Sequence, residues 1–219
     1  MKNIKAVIFD MDGVLVDSEP FHYENENRMF QKLGLDISDE EHNHFTGVAT
    51  DVMWQQISET RDLPHSVAEL TKLTVLESNN YFGSLEKIGP LPGLVDLLEK
   101  LIAAGIPLAV ATSSDAVTMQ TILEKSGLRK YFRVTVCRDD VAKSKPEPDV
   151  FLLAARLLGA APENCVVFED SKNGIKAAKA AGMFCIAYSG ANSGEQDRRL
   201  ADMCIEYYDK LKTLGWNWF

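Results

Sequence analysis

The sequence contains no apolar run long enough to cross a membrane or to form the hydrophobic region of a signal peptide. The N-terminal apolar run, residues 4–9, is far too short for either role and ends in acidic residues. Cysteine is also scarce. The four cysteines are widely spaced and form no CxxC pair, which favours buried reduced thiols over disulfides. We therefore expect a cytoplasmic protein that has no membrane partner.

Basic residues are in the minority, with 23 Lys and Arg against 32 Asp and Glu and a net charge of -9. A surface of this sign repels nucleic acid and anionic membranes, so we expect neither as a partner. A small phosphorylated metabolite remains compatible, because a few donors and a bound cation can reverse the sign inside one cleft. The sequence has no GxxxxGK[ST] or GxGxxG segment, and so gives no reason to invoke ATP or a dinucleotide.

Short apolar runs alternate with segments of helical period along most of the 219 residues. Residues 6–9, 108–111, 165–168 and 185–188 are predicted to be buried parallel strands, and 134–137 is a weaker fifth. A glycine follows four of the helical segments, where a helix end favours positive φ. This pattern predicts an α/β fold, a doubly wound parallel sheet of Rossmann-like type with helices on both faces.

Residues 20–83 interrupt this alternation, because they carry helical patterns without a convincing strand. The clearest predicted helices are 22–33 and 67–81, with Phe30, Leu33, Leu70, Leu73 and Leu76 as their apolar contacts. A Gly-Pro-Leu-Pro-Gly segment at 89–93 marks the return to the sheet. We therefore expect a core domain formed by 1–16 and 88–219 and a small inserted helical cap at 17–87.

Polar residues follow the apolar runs, at the sheet edge where ligands bind in open α/β folds. Several carboxylates crowded there favour a divalent cation, and oxygen-only ligands indicate magnesium rather than zinc. A carboxylate can attack phosphorus while an ammonium and a hydroxyl hold the phosphoryl oxygens. The segments concerned are Asp10-Met11-Asp12-Gly13, Thr112-Ser113-Ser114, Lys145-Pro146 and Glu169-Asp170-Ser171.

Together these segments resemble, in order and across the whole chain, the four motifs of haloacid dehalogenase-like hydrolases. The residues that carry the resemblance are Asp10-Met11-Asp12-Gly13-Val14, Thr112, Ser144-Lys145-Pro146 and Glu169-Asp170. The resemblance implies a magnesium cofactor and a helical cap that excludes water from the site. Dehalogenases of the family lack an acid at the position of Asp12, so its presence favours phosphoryl chemistry.

The same resemblance implies a role for each matched residue. Asp10 is the expected nucleophile and a metal ligand. Asp12 is the expected general acid and base, and also lends its backbone carbonyl to the metal. The expected phosphate site comprises Thr112, the Ser113 backbone and Lys145, and the remaining expected metal ligands are Glu169 and Asp170. The implied reaction is hydrolysis of a small phosphorylated metabolite, a sugar phosphate above all, through an aspartyl-phosphate.

Two cap segments resemble the β-phosphoglucomutase and sugar-phosphate phosphatase branch of the family. The resemblance brings His22 to the active site, with a polar helix face as the alternative, and makes Gly47 part of a substrate loop. The mutases carry an arginine near the position of Thr50 and a lysine near that of Glu77. Their absence here favours hydrolysis over a mutase reaction, which stays the alternative, and a non-catalytic binding module is the third interpretation.

His42 and His44 lack a convincing third ligand, so a solvated turn is favoured over a metal site. The C-terminal aromatic residues are expected to close the core, and a dimer contact is the other interpretation. They are Tyr207, Tyr208, Trp216, Trp218 and Phe219. We expect a monomer, with a dimer as the alternative.

Overall fold

The computed structural model describes residues 4–45, 48, 50–190 and 196–213. Those residues form two compact units, one from the described parts of 1–17 and 87–219 and the other from 18–86. The first unit contains every strand of the described chain, and the second is helical. Among the described residues, no helix has the length and hydropathy of a transmembrane segment.

One parallel sheet of six strands organises the larger unit, in the order β3-β2-β1-β4-β5-β6. The strands are β1 (Ala6–Phe9), β2 (Leu108–Ala111), β3 (Val134–Val136), β4 (Cys165–Glu169), β5 (Phe184–Tyr188) and β6 (Met203–Ile205). The predicted α/β fold class and its parallel sheet are therefore confirmed. Strand β6 escaped prediction, because it is a three-residue edge strand whose central residue, Cys204, faces solvent.

The strands are continuously apolar because both faces of the sheet are covered. Ala6 and Ile8 belong to a buried cluster with Phe151 and Ile175, so one face of β1 packs against two helices of this unit. On the opposite face of the strand, the Phe9 ring stacks on Phe168 with 4.8 Å between ring centroids. Alternate residues of β1 thus fill two separate layers of the core.

Helices fill the sequence between the strands. They are α1 (Glu19–Lys32), α2 (Asp39–Asn43), α3 (Thr50–Thr60), α4 (Val67–Ser84), α5 (Leu94–Ala103), α6 (Ala116–Lys125), α7 (Asp149–Leu158), α8 (Lys172–Ala180) and α9 (Lys210–Thr213). Their starts follow the usual chemistry of helix caps, since Asp115 caps α6 and Ser171 caps α8 with side-chain oxygens. The glycines predicted to end α5 to α8 all have positive φ, as expected: Gly105, Gly127, Gly159 and Gly182.

The smaller unit packs helices α1 to α4 around its own apolar core. Phe30, Trp54 and Leu70 lie at its centre, and the Trp54 Nε1 donates to Thr74 Oγ1 at 2.8 Å. Leu73 and Leu76, which we expected to be apolar contacts, are 37% and 55% exposed. Thr74 occupies the inward position on α4 instead, because its hydroxyl satisfies the buried indole N–H.

The prediction of a solvated turn is wrong for His42, which is buried within the smaller unit. Its ring stacks on Tyr23 with 4.0 Å between centroids, and its Nε2 lies 2.6 Å from Glu26 Oε2. The other ring nitrogen, Nδ1, lies 3.1 Å from Asn27 Oδ1. His44 is exposed, as predicted, and its Nδ1 lies 2.7 Å from the Glu40 carbonyl oxygen. His42 is therefore a partnered core residue of this unit.

The thiols are reduced, and three of the four are buried. Burial raises the pKa of the Cys137 and Cys165 thiols to about 11, so both stay protonated near neutral pH. Cys204 on β6 is the exposed exception to the predicted burial.

Tyr208 ties the C-terminal part of the described chain to the loop after β1. Its hydroxyl donates to the Val14 carbonyl oxygen at 2.6 Å, and its ring stacks on Tyr188. Tyr208 is buried, as expected of the aromatic tail, whereas Tyr207 beside it is half exposed. Of the other tail aromatics, Trp216, Trp218 and Phe219 lie outside the described residues.

Replacing Tyr208 by Phe should lower the free energy of unfolding by about 1–3 kcal/mol, because the buried Val14 carbonyl loses its donor. Urea denaturation measures the change. The matched control is Tyr207→Phe, which should stay within about 0.5 kcal/mol of the wild type. Equal effects of the two substitutions would contradict the anchoring role of the Tyr208 hydroxyl.

Candidate active site

Three buried carboxylates meet at the carboxyl ends of the two central strands. Asp10 directly follows β1, Glu169 ends β4 and Asp170 comes next. Because Phe9 and Phe168 are paired in the parallel register, Asp10 and Glu169 emerge side by side. One oxygen of each of the three carboxylates lies within 4.8 Å of the others. The three side chains predicted to hold a metal, those of Asp10, Glu169 and Asp170, thus converge here.

Lys145 bridges two of these carboxylates from the loop that precedes α7. Its Nζ donates to Asp10 Oδ1 at 2.5 Å and to Glu169 Oε1 at 2.8 Å. The same ammonium lies 4.7 Å from the centroid of the Phe151 ring, a cation–π distance. The Lys145 side chain is only 5% exposed. A lysine that would be solvated in isolation is therefore held inside the site.

The charges of the cluster do not balance, since one ammonium faces three carboxylates. Burial is the largest effect on Asp10; together with the carboxylates of Glu169 and Asp12 it outweighs the lowering effect of Lys145 and raises the pKa of Asp10 to about 7. Burial alone would lower the pKa of Lys145, but Asp10 and Glu169 outweigh it and hold that pKa above its usual value. The site is electrostatically suited to another positive charge.

Two glycines make room for these carboxylates. Gly13 has a φ of +72°, and a Cβ placed on it would lie 2.2 Å from Asp170 Oδ2. A Cβ on Gly174, in the first turn of α8, would lie 1.6 Å from Glu169 Oε1. Both spacings are far inside van der Waals contact. Glycine at these two positions is therefore a steric condition of the cluster, and the sequence reasoning missed the role of Gly174.

The hydrogen bonds of Glu169 leave it capacity for one more partner. Besides Lys145, the carboxylate accepts from the Ser171 amide at 2.6 Å and from the Ser171 hydroxyl at 3.0 Å. An ionised carboxylate offers about four acceptor sites. Partners among the described residues use three of them, which leaves room for a cation at the fourth.

The donor set fits a hard divalent cation. Its oxygens come from Asp10, Glu169 and Asp170, all carboxylates, and the cluster has an excess of negative charge. Oxygen-only sites of this charge favour magnesium or calcium over zinc. The chain thus presents an acidic cluster that could bind a metal ion.

The carboxylate of Asp12 contacts the hydroxyl residues after β2. Its Oδ2 accepts from Ser114 Oγ at 2.8 Å and lies 3.5 Å from Thr112 Oγ1. The Thr112 hydroxyl in turn accepts from the Ser114 amide at 3.0 Å. Ser113, whose backbone was expected at the phosphate, follows Thr112 and is exposed. Ser114 was not predicted as a site residue, although it stands in the hydroxyl segment that the sequence singled out.

The two predicted cap residues belong to the smaller unit. His22 lies on α1 and packs edge-on against Phe82 of α4, with 5.2 Å between the ring centroids. Gly47 lies outside the described residues. Their roles toward a substrate stay predictions.

A buried Asp–Lys–Glu bridge at the edge of a parallel sheet, with the carboxylate of Asp170 beside it, defines an acidic site of oxygen ligands. The sequence profile described as haloacid dehalogenase-like hydrolase matches residues 7–188. A phosphorylated carbohydrates phosphatase of Thermotoga maritima is 37% identical over 82% of either chain. The fructose-1-phosphate phosphatase YqaB of Escherichia coli is 38% identical over 81% of this chain and 93% of its own.

Two further similar proteins include one that is named as a mutase and one whose structure is solved. A beta-phosphoglucomutase of Bacillus subtilis is 30% identical, covering 84% of this chain and 82% of its own. The crystal structure of CbbY from Rhodobacter sphaeroides in complex with phosphate superposes with a TM-score of 0.84, at 29% identity, over 95% of this chain and 96% of that one. The chain therefore belongs to the haloacid dehalogenase-like hydrolases, as an enzyme of their phosphatase group.

Gly174→Ala should lower kcat/KM for phosphate release by about 10²-fold, because the new methyl group displaces the Glu169 carboxylate and with it Lys145. Steady-state kinetics measure the loss. The matched control is Gly83→Ala on α4, where an added Cβ meets nothing within 4 Å. That variant should keep the wild-type kcat/KM, and unchanged kinetics of a folded Gly174→Ala protein would contradict the steric argument.

Proposed function

We propose that the chain is a magnesium-dependent phosphomonoesterase that hydrolyses a small phosphorylated metabolite through an aspartyl-phosphate on Asp10. The observation that carries the proposal is the bridge from Lys145 to Asp10 and Glu169, with Asp170 beside them. Such a cluster is costly to bury for structural purposes alone, because each desolvated charge loses hydration energy. A cluster that acts on an anionic group accounts for this cost, because charged groups with perturbed pKa values are typical of functional sites.

Asp10 is the proposed nucleophile. One of its carboxylate oxygens attacks phosphorus, the bond from phosphorus to the ester oxygen breaks, and the electron pair leaves with that oxygen. A water molecule then attacks the same phosphorus, and the Asp10 carboxylate is released with inorganic phosphate. Lys145 fits the nucleophile's needs, since an ammonium only donates hydrogen bonds and so favours the ionised carboxylate.

Asp12 is the proposed general acid and base, and its partners differ from those of Asp10 in a way that supports separate roles. Its carboxylate contacts hydroxyl groups, chiefly that of Ser114. A hydroxyl both donates and accepts, so it can remain bonded to a protonated or an ionised carboxyl group. Asp12 can then give a proton to the leaving oxygen and later take one from the attacking water.

The phosphate oxygens are proposed to bind the Thr112 hydroxyl, the Ser113 backbone and Lys145. Magnesium, held by Asp10, Glu169, Asp170 and the Asp12 backbone carbonyl, would supply positive charge against those oxygens. Lys145 already lies against Asp10, so its ammonium can follow the negative charge from the carboxylate to the phosphoryl group.

A sugar phosphate is the proposed substrate class. The support comes from the names of the relatives, which include a phosphorylated carbohydrates phosphatase and a fructose-1-phosphate phosphatase. Within the smaller unit, His22 and Gly47 are proposed to contact the sugar. The proposed setting is a cytoplasmic monomer.

A mutase is the second candidate, favoured by the relative named beta-phosphoglucomutase. A mutase must grip a second phosphate, and this chain lacks the two cations with which the mutases do so. Thr50 stands near the position of their arginine. Glu77 stands near the position of their lysine, and its carboxylate is paired with Lys32 at 2.7 Å. Hydrolysis is therefore the favoured outcome.

The proposal predicts magnesium-dependent release of inorganic phosphate from sugar phosphates. Asp10→Asn should reduce the release to background, because the amide removes the nucleophile while nearly preserving its volume, and Asp170→Ala should raise the magnesium concentration needed for half-maximal rate. A phosphate assay over a panel of phosphorylated metabolites measures both. Asp96→Asn, at an exposed acid on α5, is the control and should match the wild type.

Two outcomes would contradict the proposal. Near wild-type phosphate release by a folded Asp10→Asn protein would exclude Asp10 as the nucleophile. With β-glucose 1-phosphate and a bisphosphate primer, formation of glucose 6-phosphate faster than free phosphate would establish the mutase reaction instead.

A further inference from the structure

We propose that Ser114 is a positioning residue for Asp12, fixing the Asp12 carboxylate at the end of β2. The inference rests on the proposed function, in which Asp12 exchanges a proton with the ester oxygen. The observation that supports it is the 2.8 Å hydrogen bond from Ser114 Oγ to Asp12 Oδ2, which joins residues 102 positions apart.

Ser114 is itself held at both ends of its backbone, as a positioning residue must be. Its amide donates to Thr112 Oγ1 at 3.0 Å, and its carbonyl oxygen accepts from the Arg138 amide at 3.0 Å. The side chain then has one short bond to make, and makes it to Asp12. A hydroxyl fixed at both backbone ends restricts the carboxylate it contacts much more than a mobile one would.

The neighbouring hydroxyls are less suited to this task. Thr112 Oγ1 is 3.5 Å from the same Asp12 oxygen, at the outer limit of a hydrogen bond. The Ser113 residue is exposed. Ser114 therefore supplies the short contact in this segment.

The Ser114 hydroxyl is not needed to cap the start of α6. The cap of that helix is Asp115, whose carboxylate accepts from the amides of Val117 and Thr118. Asp139 takes the remaining amide of the first turn, that of Ala116. With the helix start satisfied by these two carboxylates, the short bond of Ser114 serves Asp12 and not the helix.

Loss of the Ser114 hydroxyl should impair proton transfer from Asp12 more than the attack of Asp10 on phosphorus. Without this short bond the Asp12 carboxylate is less restrained and reaches the ester oxygen less often. An alkyl leaving group needs that proton, whereas p-nitrophenolate departs without much help. The expected signature of Ser114 is therefore a loss that depends on the leaving group, the same kind that removal of Asp12 itself should give.

The test compares two esters, p-nitrophenyl phosphate and the alkyl phosphate that the wild type turns over fastest, by the amplitude and rate of the first turnover after rapid quench. Ser114→Ala should slow the alkyl ester by about 10-fold to 10²-fold, a part of the whole general-acid effect, and the aryl ester by less than about 3-fold. Ser114→Thr, which restores a hydroxyl, should recover most of the alkyl rate. In the Asp12→Asn background, Ser114→Ala should add little, because both changes remove one interaction.

The control is Ser126→Ala, at the other end of α6, where the hydroxyl donates to the Leu123 carbonyl oxygen. It should leave both first-turnover rates unchanged. Equal losses of Ser114→Ala on the two esters, or losses that add to those of Asp12→Asn, would overturn the positioning role while leaving the phosphatase intact. If the wild type releases phosphate from neither ester, the proposed function is overturned, and with it the role of Ser114.

Discussion

The bridge that Lys145 forms between Asp10 and Glu169 is the interaction on which the rest of the site depends. It connects residues 135 and 24 positions apart, and it forms because β1 and β4 are adjacent at the centre of the sheet. The ammonium reduces the repulsion between two buried carboxylates without cancelling the negative charge of the cluster. What remains is a buried cluster with an excess of negative charge that could bind a cation.

Close backbone approach is the second constraint. The carboxylates of Glu169 and Asp170 occupy space that a side chain at Gly174 or Gly13 would fill, so two backbone segments act as walls of the site. The loop that carries Asp10 and Asp12 is further anchored by the Tyr208 hydroxyl on Val14. Side chains held in this way vary little in position, and the proposed catalysis would depend on that fixed geometry.

Periodicity and end-of-strand chemistry were enough to predict five of the six strands and the main residues of the cluster. Strands buried on both faces read as apolar runs, and the acids after them must meet at one edge. Leu73 and Leu76 were misassigned because the inward position of α4 belongs to Thr74, whose role depends on the indole of Trp54. Ser114 and Gly174 escaped notice for a similar reason. Their importance lies in partners that folding brings near, and a serine or a helical glycine carries no sign of them in sequence.

The central claim is that Asp10 carries the phosphoryl group during turnover, and peptide mapping by mass spectrometry after an acid quench tests it most directly. Protein quenched while it turns over a phosphate ester in magnesium should yield the Asp10 peptide heavier by one phosphoryl group, and fragmentation should locate that mass on Asp10. The modification should be absent from Asp10→Asn protein. A phosphoryl group found on another residue, or rapid turnover with no modified peptide at any quench time, would contradict the account.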